Sequence, residues 1–257
     1  MISWFLSDLH LTDINERNSQ TLLRFLLELN QNPKSTRLFL LGDIFDVWVS
    51  DGNAFVKRFQ PIVDAIISLK KNGGEVYYLE GNHDFHVDVF WTKRHGIPVI
   101  EDGADFNLDG MMVRVEHGDF ISDDANYLKY RALVRTKPLE FLGHLLPGKF
   151  WQWFGTKQSG HSRKQTSQYT AQNTEKIRAQ IRRYAQRLYP QKKFDLLVTG
   201  HMHVYDDFMF ASGGFPVRSI NLGSWLEKPR VLKIESVTEQ SGDSRKGGRH
   251  VISTEVL

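Results

Sequence analysis

Arg37-Leu-Phe-Leu-Leu-Gly-Asp-Ile-Phe-Asp46 begins as a short apolar run and stops at a glycine-acid turn. Such a run reads as a strand, with Gly42-Asp43-x-x-Asp46 at its carboxyl end. The arrangement recurs on either side. Ile2 to Leu6, Glu75 to Leu79, Met111 to Glu116 and Phe194 to Thr199 are further apolar runs, several rich in β-branched or aromatic residues, each followed by a polar or glycine-containing turn. Between the first three runs the apolar residues fall near a 3.6-residue spacing: Leu22, Leu23, Phe25, Leu26 and Leu29, then Phe55, Phe59, Val63, Ile66, Ile67 and Leu69. Strands alternating with amphipathic helices predict an α/β fold.

After Gly200 the pattern changes to strands alone: Val204 to Phe210, Phe215 to Asn221, Arg230 to Ile234 and Val251 to Val256, with Glu239 to Gly248 as a polar hairpin loop. The 257 residues are read as a single domain, 1–257, carrying a helical, basic and apolar cap insert at 125–193. Within the insert, Ile177, Ile181, Tyr184 and Leu188 form one helical stripe, with Lys176, Arg178, Arg182, Arg183 and Arg187 elsewhere around it. Upstream, Pro138 to Phe154 is aromatic and apolar, but Glu140, Pro147 and Lys149 interrupt it, which suits an interface better than a membrane span.

A hydrophobic share of 40% and a charged share of 25% belong to an ordinary folded, soluble chain. Cysteine is absent, which excludes disulfides, thiolate metal sites and a cysteine nucleophile together. The start, Met1-Ile-Ser-Trp-Phe-Leu-Ser-Asp-Leu-His10, lacks the basic residues and cleavage site of a signal peptide, so a cytoplasmic protein is expected. Net charge is +3, but residues 128–193 hold 15 Lys/Arg against Glu140 and Glu175, leaving the remainder of the chain at −10. A cationic insert on an acidic body implies an anionic partner.

Five motifs stand at the carboxyl ends of the expected strands: Asp8-x-His10, Gly42-Asp43-x-x-Asp46, Gly81-Asn82-His83-Asp84, His117-Gly118-Asp119 and Gly200-His201-x-His203. Strand ends of this kind border the ligand crevice of α/β sheets, so residues distant in sequence converge there. If Asp8-x-His10 and His201-x-His203 continue their strands, alternate residues point to one side and both members of each pair face one cluster. Imidazole, carboxylate and amide donors without thiolate suit Mn, Fe, Zn or Mg. Taken singly, each motif is ordinary surface or turn chemistry. Five in order, using four of the ten histidines as donors, point to a metal centre.

This series resembles the signature of the calcineurin-like metallophosphoesterases, with the match running from Asp8 to His203. The resemblance implies a four-layer α/β/β/α sandwich with a helical cap insertion, built around two divalent metal ions. Mn2+ is the expected ion, with Fe, Zn or Mg as alternatives. It implies that Asp43 bridges the ions, that Asp8, His10 and His203 complete one site, and that Asn82, His117 and His201 complete the other. Two cations roughly 3.5 to 4 Å apart neutralise an anionic phosphodiester and activate water for in-line displacement. Asp43 and His83 are the catalytic candidates. His83 is expected to assist the leaving oxygen, the alternative being an imidazole that only orients a neighbour such as Asp84.

A narrower likeness lies in Leu41-Gly-Asp-Ile-Phe-Asp-Val-Trp48, Gly81-Asn-His-Asp-Phe85 and His117-Gly-Asp-Phe-Ile-Ser-Asp-Asp-Ala-Asn-Tyr-Leu-Lys-Tyr-Arg131, which are similar to the UDP-2,3-diacylglucosamine hydrolases of lipid A synthesis. That likeness implies hydrolysis of a lipid-linked nucleotide at its pyrophosphate, giving UMP and 2,3-diacylglucosamine 1-phosphate. It carries Asn82, His83, Asp124, Tyr127, Arg131, Ser162 and His201 as residues that bind substrate or shape the cap. Phe141, Leu142, Leu145, Leu146, Phe150, Trp151, Trp153 and Phe154 would line an acyl groove, and the basic residues would meet phosphates or the anionic inner membrane. The likeness departs at His83, where that family typically carries arginine, and near Tyr169, where it carries lysine. Two other readings stand beside it: a related phosphoesterase acting on another phosphodiester, nucleotide or phosphoprotein, and an anion- or nucleic-acid-binding protein with structural metals. Nucleic acid is the less expected partner, because binding a phosphate backbone does not require the full donor set.

Overall fold

The computed structural model describes residues 1–49, 53–122, 124–136, 172–237 and 249–257. The strands in chain order are β1 (Ile2–Leu6), β2 (Thr36–Leu41), β3 (Trp48–Val49), β4 (Glu75–Leu79), β5 (Asp84–Phe85), β6 (Val99–Ile100), β7 (Ala104–Leu108), β8 (Met111–Val115), β9 (Leu196–Thr199), β10 (Tyr205–Ser212), β11 (Phe215–Leu222), β12 (Arg230–Val237) and β13 (Arg249–Val256). The helices are α1 (Arg17–Leu29), α2 (Asn53–Arg58), α3 (Gln60–Lys71), α4 (Ala125–Val134) and α5 (172–192), with a π-helical turn at Val89–Arg94.

One sheet runs β13-β12-β1-β2-β4-β6 and the other β10-β11-β9-β8-β7, with β3 and β5 as a separate pair. β1, β2, β4 and β6 are parallel, as are β8, β9 and β11, and antiparallel strands close every edge of these two sheets but that of β6. Because side chains alternate across a strand, each strand of the stack feeds two cores. In β2, Leu38 and Leu40 join α1 and α3, while Phe39 and Leu41 face the second sheet. In β9, Leu196 and Val198 face the first sheet, while Leu197 meets Ile177, Ile181, Tyr184 and Ala185 of α5. The order of layers is therefore helices, sheet, sheet, helix, as the resemblance implied.

Aromatic rings stiffen the space between the sheets. Phe5 stacks on Phe39 with centroids 4.5 Å apart, Phe39 stacks on Tyr77 at 5.1 Å, and Phe106 of β7 meets both Phe39 and Tyr77 edge-on. Full burial, as at Phe5 and Phe39, contributes about 1.5–3 kcal/mol per ring, and edge-on or offset pairs add to it.

Three expectations change. The apolar stripe from Phe55 to Leu69 is two helices, because α2 ends at Arg58 and Phe59 caps α3. The part of the 125–193 insert from residue 172 onward is the outer helical layer: its stripe packs on β9 and β11, and Arg182 pairs with Asp206 at 2.7 Å. Sequence spacing revealed that stripe but not what it covers. Asp8, His10, His201 and His203 lie beyond β1 and β9, so strand alternation is not what aligns them. Ser162, Tyr169, the aromatic run 141–154 and the loop 239–248 lie outside the described residues. Among the described residues no helix is long and apolar enough to cross a membrane.

Candidate metal centre

The loops after β1, β2, β4, β8 and β9 meet at one end of the sandwich and hold one another through the backbone. Asp8 N–H donates to Gly42 O at 3.2 Å, His10 N–H to Asp43 O at 3.0 Å, and Gly200 N–H to His117 O at 2.8 Å. Asp8, His10, Asp43, His201 and His203 all adopt left-handed backbone, with φ between 49° and 68°. Aspartate and histidine are among the few non-glycine residues enriched there. This reversal at alternate positions, rather than strand pleating, turns both members of each pair toward the same point. Gly42 has φ 80°, and a Cβ there would sit 2.7 Å from both Gly81 N and His117 Nδ1, so only glycine lets these loops close.

Asp8, His10, Asp43 and His117 are buried, while Asn82, His83, His201 and His203 are half-buried. Asp43 Oδ2 lies 3.8 Å from His10 Nε2 and 3.7 Å from His117 Nε2. On the first side His10 Nε2 and His203 Nε2 are 3.0 Å apart, and Asp8 Oδ1 is 3.3 Å from His203 Nε2. On the second side Asn82 Oδ1 is 3.1 Å from His201 Nδ1 and 3.4 Å from His117 Nε2. All seven expected donors thus gather at one end of the sandwich, around Asp8 and Asp43.

The donor set fits a cation. Buried Asp8 Oδ1 makes no hydrogen bond among the described residues, and burial drives His10 down to about 3, which keeps its imidazole neutral with a ring-nitrogen lone pair to offer. Burial would also lower His117, but Asp43, Asp119, Asp8 and the bond to Leu41 O lift it to about 9. The cluster thus collects positive charge even as a proton. Asp8, His10 and His203, and separately Asp8, Asp43 and His117, bring their donor atoms within 4.8 Å of one another, as a divalent ion requires. Two further such sets are His10, Asp46 and His83, and His117, Asp119 and His201.

Supporting bonds fix the donors. His117 Nδ1–H donates to Leu41 O at 2.7 Å, which aims Nε2 at Asp43 and Asn82. Asp8 Oδ2 accepts from Ser7 Oγ at 2.6 Å and from His201 N–H at 2.8 Å, leaving Oδ1 for the centre. His83 N–H donates to Asp43 Oδ1 at 2.9 Å, and its ring bonds Asp46 O through Nδ1 at 2.8 Å, so the ring orients no carboxylate of Asp84.

Of the three motif carboxylates that received no role from sequence, Asp46, Asp84 and Asp119, the last two tie segments together. Asp84 is fully buried and accepts from Asp43 N–H, Ile44 N–H, Gly81 N–H and Tyr78 OH, joining the turns after β2 and β4. Asp119 accepts from Tyr127 OH and, at 2.8 Å, from Arg131 Nε. The spacing Gly-Asn-His-Asp and His-Gly-Asp was the available signal. Of the expected substrate contacts, Asn82, His83 and His201 are at the centre. Tyr127 lies beside it, its ring 5.2 Å from that of His201. Arg131 is buried, and its Nη2 reaches Asp102 at 2.7 Å. Asp124 caps α4 by accepting from Asn126 N–H and Tyr127 N–H.

Comparison with known proteins agrees with this architecture. The calcineurin-like phosphoesterase family model matches residues 1–205. UDP-2,3-diacylglucosamine hydrolase of Aeromonas salmonicida (strain A449) is 30% identical over 233 residues, covering 90% of this chain and 89% of that protein. The enzyme of the same name from Aeromonas hydrophila is 29% identical, over 90% of this chain and 94% of its own. That from Stenotrophomonas maltophilia (strain K279a) is 27% identical, over 92% and 96%. A match across most of the chain, over a sandwich whose strand ends gather the donors, makes this protein a hydrolase of the calcineurin-like phosphoesterase family.

Proposed function

We propose that the centre holds two divalent ions, Mn2+ foremost, and hydrolyses the pyrophosphate of UDP-2,3-diacylglucosamine to UMP and 2,3-diacylglucosamine 1-phosphate. The observation carrying the two-ion reading is Asp43 Oδ2, placed 3.8 Å from His10 Nε2 and 3.7 Å from His117 Nε2. Asp8, His10 and His203 would hold one ion, Asn82, His117 and His201 the other, with Asp43 common to both. Bound cations supply charge neutralisation for the phosphate oxygens and an acidified water. His83 stands beside these donors with its ring 4.9 Å from that of His10, and is assigned the proton or positive charge needed at the leaving oxygen.

The substrate assignment is supported by the names of the relatives and by the basic, aromatic insert. In this reading 1–257 is one catalytic domain, and 125–193 supplies its cap, with α5 doubling as the outer layer. Asp124, Tyr127 and Arg131 shape the cap, Ser162 and the aromatic run meet the acyl chains, and the basic residues lean on the anionic cytoplasmic face of the inner membrane. A second reading, hydrolysis of another phosphodiester, is favoured by His83 standing where the diacylglucosamine hydrolases typically carry arginine.

The test is incubation with the diacylated UDP-sugar and Mn2+ in 18O-labelled water, followed by mass spectrometry. Labelled UMP together with the lipid sugar phosphate is expected. Absence of UMP, with a generic phosphodiester cleaved well, would establish the second reading instead.

A further inference from the structure

α4 opens the insert, yet little of it is held by apolar packing. Of its residues, all described, Arg131 alone is buried; Tyr127, Leu128 and Val134 are half-buried, and Tyr130 and Leu133 are exposed. Short helices of this composition are marginal without a packed face, so α4 must be kept in place by something else. Among the described residues its ties are largely polar: Arg131 and Arg135 reach Asp102 and Glu101, and the others run to segments carrying the donors of one half-site. Tyr127 OH and Arg131 Nε each occupy one oxygen of Asp119, two residues past His117. Asp119 Oδ1 is also 3.9 Å from His201 Nδ1, and the Tyr127 ring lies on His201. At the other end, Arg135 Nη1 donates to Glu80 Oε2 at 3.0 Å and Arg135 Nη2 to Gly81 O at 3.3 Å, immediately before Asn82. The last carbonyl of α4, on Val134, bonds His86 Nε2 at 2.8 Å.

We propose that Asp119 is a positioning residue which, through Tyr127 and Arg131, couples the docking of α4 to the half-site formed by Asn82, His117 and His201. The inference rests on the two-ion reading above. Both oxygens of Asp119 accept a bond from α4, and one of them also stands within 4.8 Å of donor atoms of His117 and His201, so the carboxylate links the helix to that half-site. Coupling of this kind is reciprocal: whatever fixes His117, His201 and Asn82 also fixes Asp119 and the turn at Gly81, and so favours the docked helix. The converse holds as well. A docked α4 pre-orients the second half-site, whereas the first, made of Asp8, His10 and His203, receives no tie from α4 among the described residues.

Hydrogen–deuterium exchange on the full chain, with excess EDTA and with saturating Mn2+, tests this without a variant. Exchange of α4 amides is expected to slow about tenfold with Mn2+, while α1, packed on the far core, changes little. Equilibrium dialysis of Mn2+ provides the second measurement. Arg131→Gln is expected to weaken the second binding step about tenfold, leave the first step unchanged and abolish the α4 protection. Arg135→Gln should act in the same direction and serves if Arg131→Gln does not fold. Two ions bound by the parent with α4 exchange unaltered would overturn the coupling alone. Fewer than two ions bound by the parent would overturn the two-ion reading and the coupling with it.

Discussion

Asp84 Oδ1 accepts the backbone N–H of Asp43 at 2.8 Å, so the carboxylate proposed to be shared by two ions is held by its main chain as well as by its neighbours. Every lone pair that Asp84 directs into the interior meets a donor. Asp84→Asn sets an amide N–H against these donors. Mn2+ affinity is expected to fall about 10–100-fold, the size of effect seen when support for a metal donor is removed. Stability should drop by about 1–3 kcal/mol from the stranded donors. Calorimetric titration and urea unfolding measure both, and parent-like Mn2+ affinity would remove Asp84 from the supporting role.

His83 touches the cluster without bridging it, which separates its effect from those of the donors. His83→Ala is expected to lower kcat about 10²–10⁴-fold, the usual range for a lost acid–base group, with bound Mn2+ unchanged. Loss of an ion in this variant, seen by elemental analysis, would make His83 a metal-site residue instead.

Asp43→Ala removes the oxygen that lies 3.8 Å from His10 Nε2 and 3.7 Å from His117 Nε2. One ion or none should remain per chain, and hydrolysis should fall at least about 10³-fold, beyond what loss of one positioned donor explains. Metal counting and turnover on the same preparation decide it.

A pH effect follows from His117. In the ion-free protein its pKa is raised to about 9 from an ordinary value near 6.5, so the folded state holds an extra proton between those limits. Its contribution to stability is complete below pH 6.5 and is lost as pH rises to about 9. A divalent ion needs the same nitrogen deprotonated, so Mn2+ affinity should rise by up to about tenfold per pH unit across this window. Affinity that stays flat between pH 6.5 and 8.5 would mean that His117 is not displaced from its proton by the ion.

Phe39 faces the second sheet and touches Phe5, Tyr77 and Phe106. Phe39→Ala is expected to cost about 3–5 kcal/mol by leaving a cavity between the sheets. The number of ions bound should not change, because the strand ends keep their hydrogen-bonded crossovers. Denaturant unfolding beside metal counting separates the two outcomes.

What sequence exposed, and what it hid, divides along physical lines. Strand runs such as Glu75–Leu79 could be read to the residue, because an apolar run bounded by turns leaves a local mark, and the seven candidate donors stand out by their motifs. β7 escaped notice because Ala-Asp-Phe-Asn-Leu places polar residues at alternate positions on the edge of its sheet. The path that aligns Asp8 with His10 was not legible, since left-handed backbone at an aspartate or histidine leaves no signature in composition. Nor were the partners of Asp84 and Asp119, which come from other strands and from α4. α5 showed its stripe but not its destination, because a helix face carries no label for the sheet that covers it.

The left-handed run at Asp8, His10, Asp43, His201 and His203 has a consequence for descent. Each non-glycine residue held there costs on the order of 1–2 kcal/mol relative to ordinary backbone, less for aspartate than for histidine. A lineage that stopped using the centre would gain stability by exchanging these positions for glycine or asparagine, without moving the chain. Glycines in this register at the ends of β1, β2 and β9 would then mark a retired enzyme, its backbone still tracing the outline of a site that its side chains no longer fill.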